Sequence, residues 1–113
     1  MNVLFICSRN QWRSPTAEQL FRRYPGLCAR SAGTSRHARN VVTAELLKWA
    51  DVICVMEQKH KQRLVADWRR LIEHKPLHVL DIPDDYLFMS AELIDILNAT
   101  VPAVLGLSPS RPA

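Results

Sequence analysis

Short apolar runs alternate with longer segments of helical periodicity along this chain. The clearest runs cover residues 3–6 and 51–56, and their almost continuous apolar character is typical of strands that are buried on both faces of a sheet. Two further strands are expected at residues 27–30 and 77–80. This alternation predicts an α/β fold with three layers, in which a four-stranded parallel sheet carries helices on both faces.

Four helices are expected to connect and follow these strands. Ser14 and Pro15 form a typical helix start, with a capping residue before a proline at the first helical position. Thr43 and Ser90 are the expected caps of the second and fourth helices, and the third helix is predicted over residues 58–72. Each predicted connection is therefore a helix, as a parallel sheet requires.

The chain is long enough for one domain with its own hydrophobic core, since it has 113 residues. We expect a single domain over residues 1–105 and a flexible tail over residues 106–113, because no periodicity remains from Pro102 onward. Residues 31–34 are expected to form a turn that leaves the second strand.

Composition narrows the class of protein. Hydrophobic residues make up 48% of the chain and charged residues 23%, which is typical of a globular protein. No apolar run has the length of a membrane span or a signal-peptide core, so we expect no membrane partner. The net charge of +4 favours anionic partners and leaves nucleic acid open as a partner without making it the expected one.

The three cysteines do not form a recognisable framework. Their spacing matches neither a disulfide pattern nor a zinc site, so a reducing, cytoplasmic location is expected. Cys28 and Cys54 are expected to be core residues of the second and third strands. Only Cys7 follows directly after a predicted strand, at the edge where parallel sheets bind their ligands.

The loop between the first strand and the first helix carries the candidate chemistry. Residues 7–14 read Cys-Ser-Arg-Asn-Gln-Trp-Arg-Ser. A short loop that enters a helix directs successive backbone N–H groups toward a tetrahedral oxyanion. Arg13 can hold two phosphate oxygens, Cys7 is a nucleophile in a positive field, and Ser14 can donate a hydrogen bond to its sulfur. This pattern predicts a phosphate-binding loop after strand 1.

The sequence Cys-x5-Arg-Ser-Pro after a first strand resembles the low-molecular-weight protein tyrosine phosphatases. Asn10 stands in the place of an asparagine that braces the loop in that family. Four further segments resemble the family in its own order, and they are residues 14–18, 31–34, 51–57 and 83–86.

The resemblance implies hydrolysis of a phosphomonoester through a cysteinyl-phosphate on Cys7, without a metal or another cofactor. Arg13 and the loop amides would stabilise the equatorial oxygens. Asp84 is the best match for the general acid, while Asp81 and Asp85 remain alternatives. The residues expected to bind the substrate are Ser8, Arg9, Asn10, Gln11, Trp12, Ser14 and Tyr86.

The chain also departs from the family's pattern. It is shorter between Gly33 and Asp51, and Trp12 stands where the family has a second loop cysteine. The substrate is therefore left open between a phosphotyrosine protein and a small aryl or nucleotide-like phosphate. Three alternatives remain, namely a non-catalytic phosphate- or RNA-binding module, an arsenate reductase that needs more cysteines near Cys7, and a phosphocysteine carrier that would not need Arg13.

Overall fold

The computed structural model describes residues 1–107, in which four strands alternate with four helices. The strands are β1 (Asn2–Cys7), β2 (Cys28–Gly33), β3 (Val52–Val55) and β4 (Leu77–Val79). The helices are α1 (Arg13–Phe21), α2 (Ala44–Trp49), α3 (Gln58–Ile72) and α4 (Ala91–Leu105). The strands pair in parallel in the order β2-β1-β3-β4, which confirms the predicted α/β class and the four-stranded parallel sheet.

Hydrophobic clusters cover both faces of the sheet, as the three-layer prediction requires. Successive residues of β1 point to opposite faces, so Val3 and Phe5 join one cluster while Leu4 and Ile6 join the other. α1 contributes Phe21 to the first cluster, and α4 contributes Leu93 and Leu97. The second cluster receives Leu47 from α2 and Leu64 from α3. Because β1 is buried on both faces, the loop that follows it starts from a rigid position.

Two boundaries around this loop differ from the prediction. α1 begins at Arg13, and Ser14 is not its cap, because the Ser14 hydroxyl is hydrogen-bonded to the Cys7 sulfur instead. Most of the segment predicted as a turn at residues 31–34 continues β2, since the ladder between β1 and β2 extends to the pair of Cys7 and Gly33. The turn therefore begins only at Thr34.

Both Cys28 and Cys54 were expected in the core, and this prediction is wrong for Cys28 and confirmed for Cys54. Cys54 lies in β3 and is fully buried. Cys28 is exposed, because it begins the edge strand β2, whose first three residues are less buried than its last three. It pairs with Asn2, at the opposite end of the ladder from Cys7.

α4 extends further than its apolar stripe predicts. Residues 102–105 continue the helix with Pro102 inside it, and Gly106 ends it in a left-handed conformation with φ of 66°. The Leu107 N–H donates to the Pro102 carbonyl oxygen over 2.9 Å, and Leu107 packs against the core. The prediction of irregular structure from Pro102 onward is therefore wrong for residues 102–105, which are helical. Residues 108–113 of the predicted tail lie outside the described residues.

Candidate active site

The loop between β1 and α1 presents a row of backbone donors. None of the backbone N–H groups of residues 8–12 donates a hydrogen bond to another described residue. The loop is held instead through its carbonyl oxygens. Those of Cys7, Ser8 and Arg9 accept from the N–H groups of Thr34, Ser35 and Arg39 at 3.0, 2.9 and 3.0 Å. The unused N–H groups next to Cys7 therefore form a site for an anion with several oxygens.

Gly33 allows the segment after β2 to pack directly against this loop. A Cβ atom at Gly33 would lie 2.5 Å from the Ser8 carbonyl oxygen and 2.6 Å from the Ala38 Cβ. Real Cβ atoms do not approach backbone atoms so closely, so any larger residue must displace the loop.

We expect Gly33→Ala to lower kcat/KM for an aryl phosphate at least about tenfold and to destabilise the fold by about 1–3 kcal/mol. Gly26→Ala is the matched control, because Gly26 has a φ of 82° but no atom of residues 1–107 lies within 4 Å of its added Cβ. That variant should lose stability through backbone strain and keep its activity. Steady-state kinetics and thermal unfolding of both variants test this, and equal activity losses would contradict it.

A network of side-chain hydrogen bonds fixes the partner of the Cys7 sulfur. The Asn10 Nδ2 donates to the hydroxyls of Ser14 and Ser31 at 2.8 and 2.9 Å. The Ser31 hydroxyl donates in turn to the Glu18 carboxylate of α1. Because the Ser14 oxygen accepts from Asn10, its own proton is available for the Cys7 Sγ at 2.9 Å. The alternative acceptor for this proton, the Ala32 carbonyl oxygen, lies 3.3 Å from the Ser14 Oγ.

Arg13 is held from two sides and is only 1% exposed. Its Nη1 donates to the Glu57 carboxylate over 2.6 Å and to the Ile82 carbonyl oxygen over 2.7 Å. Its Nη2 forms no hydrogen bond within residues 1–107, so two donors remain available on a fixed guanidinium group. Partial burial opposes ionisation of Glu57, but the hydrogen bond and charge of Arg13 prevail and lower the pKa of that carboxyl.

The three candidate acids occupy different positions. Asp84 is 54% exposed and its Oδ1 lies 3.5 Å from the Arg13 Nε, at the same cavity as Cys7. Asp81 has a φ of 56° and lines a separate cavity on the side of Glu57. Asp85 is exposed and lines neither of these cavities. The geometry therefore favours Asp84 over the other two.

A cavity of about 310 Å³ opens at the carboxyl end of β1. Its lining residues are Cys7, Ser8, Arg9, Gln11, Trp12, Arg13 and Asp84. Asn10 and Ser14, two further predicted substrate contacts, are fully buried behind the loop and brace it. Tyr86 is not among the lining residues, because it packs against the core cluster formed by α1 and α4. The structure thus brings together most of the predicted site and separates Tyr86 from it.

The other thiols do not face this cavity. Cys54 is enclosed in β3, and burial raises its pKa to about 12, so it stays protonated at neutral pH. Cys28 lies at the far end of the β1–β2 ladder. No group of three or more His, Cys, Asp or Glu side chains suited to a metal occurs in residues 1–107. No helix in this range is long and apolar enough to cross a membrane.

His60 is a residue of this site that the sequence did not predict, as is Glu57. The position of His60 in α3 predicts a core histidine, and it is indeed buried, with 1% exposure. However, its Nε2 lies 2.8 Å from the Ser8 hydroxyl of the loop. Nothing in the local sequence signals this contact, because the two residues lie on different elements and 52 positions apart.

Comparisons with known proteins agree with this geometry. Residues 2–48 match the family model described as low molecular weight phosphotyrosine protein phosphatase. A curated relative from Acinetobacter johnsonii, low molecular weight protein-tyrosine-phosphatase Ptp, is 33% identical over 91 residues, which cover 59% of this chain. The chain spans 64% of the length of that relative.

Solved structures of similar fold cover nearly the whole chain. The tyrosine phosphatase Wzb from Escherichia coli K30, in complex with phosphate, has a TM-score of 0.75 at 23% identity, over 95% of this chain and 98% of that one. The YwlE arginine phosphatase from Geobacillus stearothermophilus has a TM-score of 0.68 at 20% identity, over 93% of each chain. The loop motif lies within the matched residues 2–48, and the chain is therefore similar to the low-molecular-weight phosphotyrosine protein phosphatases in this segment and in its fold.

Proposed function

We propose that this chain is a cysteine-dependent phosphomonoesterase in which Cys7 is the nucleophile. The proposal rests mainly on one observation. A row of backbone N–H groups lies next to a buried Arg13, and neither these groups nor the Arg13 Nη2 has a hydrogen-bond partner among the described residues. A site rich in fixed donors around a cysteine suits a phosphoryl group, whose three equatorial oxygens carry charge in the transition state.

In the first step, the Cys7 sulfur attacks phosphorus in line with the leaving oxygen. The new S–P bond forms as the P–O bond to the leaving group breaks, and Asp84 transfers its proton to that oxygen. Ser14 donates a hydrogen bond to the sulfur, and Arg13 and the loop amides hold the equatorial oxygens. The product of this step is a cysteinyl-phosphate and a neutral alcohol.

In the second step, water attacks the phosphorus of the cysteinyl-phosphate. Asp84, now ionised, accepts a proton from this water, and the S–P bond breaks to regenerate the Cys7 thiolate and inorganic phosphate. Asp84 is suited to both steps because it is half exposed and lies on the loop that borders the cavity. This sequence of steps needs neither a metal nor a redox partner.

The proposed substrate is a phosphorylated protein tyrosine or a small aryl or nucleotide-like phosphate. Exposed Trp12 and Gln11 border the cavity and provide a surface for the aromatic part of such a substrate. The proposed setting is the cytoplasm, where a reducing environment preserves the Cys7 thiol. Cys54 and Cys28 are placed unfavourably for the thiol exchange that an arsenate reductase requires.

Asp84→Asn should lower kcat for phenyl phosphate by about 10²-fold or more, because the leaving phenolate then departs without a proton. The loss should be much smaller for para-nitrophenyl phosphate, whose leaving group is a weaker base. Steady-state rates with both substrates measure this difference. Asp81→Asn and Asp85→Asn are the matched controls, and a leaving-group-dependent loss in either would transfer the role of acid to that residue.

A non-catalytic phosphate-binding module is the alternative that the same geometry allows, since an anion site alone does not require turnover. Hydrolysis of para-nitrophenyl phosphate without added metal, between about pH 5 and 8, separates the two functions. Turnover that vanadate inhibits supports the enzyme. Binding of phosphate or vanadate with no turnover at any pH would reject the enzyme in favour of the module.

A further inference from the structure

The hydrogen bonds of His60 define where its proton lies. The ring Nδ1 accepts a hydrogen bond from the Glu57 backbone N–H at 3.0 Å, and the ring Nε2 lies 2.8 Å from the Ser8 hydroxyl oxygen. A backbone N–H can only donate, so Nδ1 must present its lone pair. A neutral His60 therefore carries its proton on Nε2 and donates it to Ser8.

The environment keeps His60 in this neutral form. Its burial, together with the positive charge of Arg13, lowers the pKa of the ring to about 4, although the charges of Glu57 and Asp84 act in the opposite direction. The imidazole is therefore neutral near pH 7, and its Nε2–H is a permanent donor. This donor is held by α3, where His60 completes a capping box with Glu57.

The hydrogen bond from His60 determines how the Ser8 hydroxyl can bond. Its oxygen accepts from His60, so the single hydroxyl proton remains for another acceptor. No second hydrogen bond joins this hydroxyl to another residue in the described part of the chain. Ser8 lines the cavity together with Cys7 and Arg13, and a phosphoryl group bound there would supply the missing acceptor.

We propose that the Ser8 hydroxyl donates a hydrogen bond to a nonbridging oxygen of the phosphoryl group, and that His60 is the positioning residue that orients it. The inference rests on the proposed function, because it assigns to Ser8 a contact with the reacting group. Ser8 adds a side-chain donor to the backbone donors of the loop, at the place where negative charge increases in the transition state.

Two substitutions of His60 separate its contact with Ser8 from its role in the helix cap. Glutamine places an amide N–H near the position of Nε2, so His60→Gln keeps a donor for Ser8 and loses the acceptor for the Glu57 N–H. Asparagine places an amide oxygen near the position of Nδ1, so His60→Asn keeps the cap and is too short to reach Ser8. Ser90→Ala, which removes the cap of α4, controls for lost stability alone.

The measurement is kcat/KM for para-nitrophenyl phosphate, together with the melting temperature of each variant. Ser8→Ala and His60→Asn should each lose about tenfold or more in kcat/KM, and the double variant should lose no more than Ser8→Ala. His60→Gln should recover most of this activity despite a lower melting temperature. Equal losses in the two His60 variants, no loss in His60→Asn, or additive losses in the double variant would each overturn the proposal.

Binding of inorganic vanadate by calorimetry keeps this test distinct from that of the proposed function. If the wild type binds vanadate but does not turn over, the proposed enzyme fails while the hydrogen bond from Ser8 is still measurable. In that case a weaker vanadate affinity in Ser8→Ala and His60→Asn, with recovery in His60→Gln, supports a hydrogen bond from Ser8 that His60 orients. Unchanged affinity in Ser8→Ala would overturn it.

Discussion

Cys7→Ser should lower the turnover of para-nitrophenyl phosphate by at least about 10⁴-fold, because a serine hydroxyl is far less available as an anion than a cysteine thiol. The substitution is nearly isosteric, and Cys7 is only 3% exposed at the end of β1, so little else should change. The hydrogen bond from Ser14 also remains available to the new hydroxyl. The loss should therefore fall on kcat, and steady-state kinetics measure it.

The controls for this variant are the site's anion affinity and a remote cysteine. Cys7→Ser should still bind inorganic phosphate, since the loop amides and Arg13 are untouched, and calorimetry tests this. Cys28→Ser should keep kcat within about twofold, because Cys28 is exposed at the far end of β2. Activity that survives in Cys7→Ser, or that disappears in Cys28→Ser, would contradict the assignment of the nucleophile.

Arg13→Lys should lower kcat/KM by about 10³-fold, although it preserves the positive charge. Lysine presents one nitrogen, whereas Arg13 bonds Glu57 and the Ile82 carbonyl oxygen through Nη1 and leaves Nη2 available for the proposed contact with the substrate. A lysine can therefore bond either Glu57 and the Ile82 carbonyl oxygen or the phosphoryl oxygens, but not both sets. If it abandons the structural partners, the free energy of unfolding should fall by about 1–3 kcal/mol.

Arg63→Lys is the matched control for this prediction. Arg63 also pairs with a carboxylate, that of Asp67 at 2.7 Å, but both side chains are exposed on α3. This exchange should change kcat/KM and the melting temperature very little, because exposed ion pairs contribute little to stability. Comparable activity losses in the two variants would show that Arg13 has no special role at the phosphoryl group.

The sequence predicted the fold well because the signals that define it are local and repeated. Continuous apolar runs mark β1 and β3, and Thr43 and Ser90 cap α2 and α4 as expected. The predicted end of α4 lies too early because the apolar periodicity stops before Pro102, a residue that normally interrupts a helix. Gly106 four residues later was the better signal, since it ends the helix in the left-handed conformation typical of that position.

The candidate site was predictable only where its residues are neighbours in sequence. Cys7 and Arg13 flank one short loop, and the role expected for each follows from its place at the end of a strand or at the start of a helix. Ser14 fits a helix cap by pattern, but the tertiary contact with Cys7 takes its hydroxyl. The contact between Ser8 and His60 depends on how α3 packs beside the loop, and no periodicity encodes that.

The central claim is a covalent phosphoryl group on Cys7, and rapid acid quenching tests it most directly. The wild type is mixed with excess para-nitrophenyl phosphate, stopped within the first turnovers, digested and examined by mass spectrometry. The proposed mechanism predicts a phosphoryl group on the peptide that contains Cys7, formed and consumed at rates compatible with kcat. Steady turnover with no labelled Cys7 at any quench time would contradict the cysteinyl-phosphate pathway.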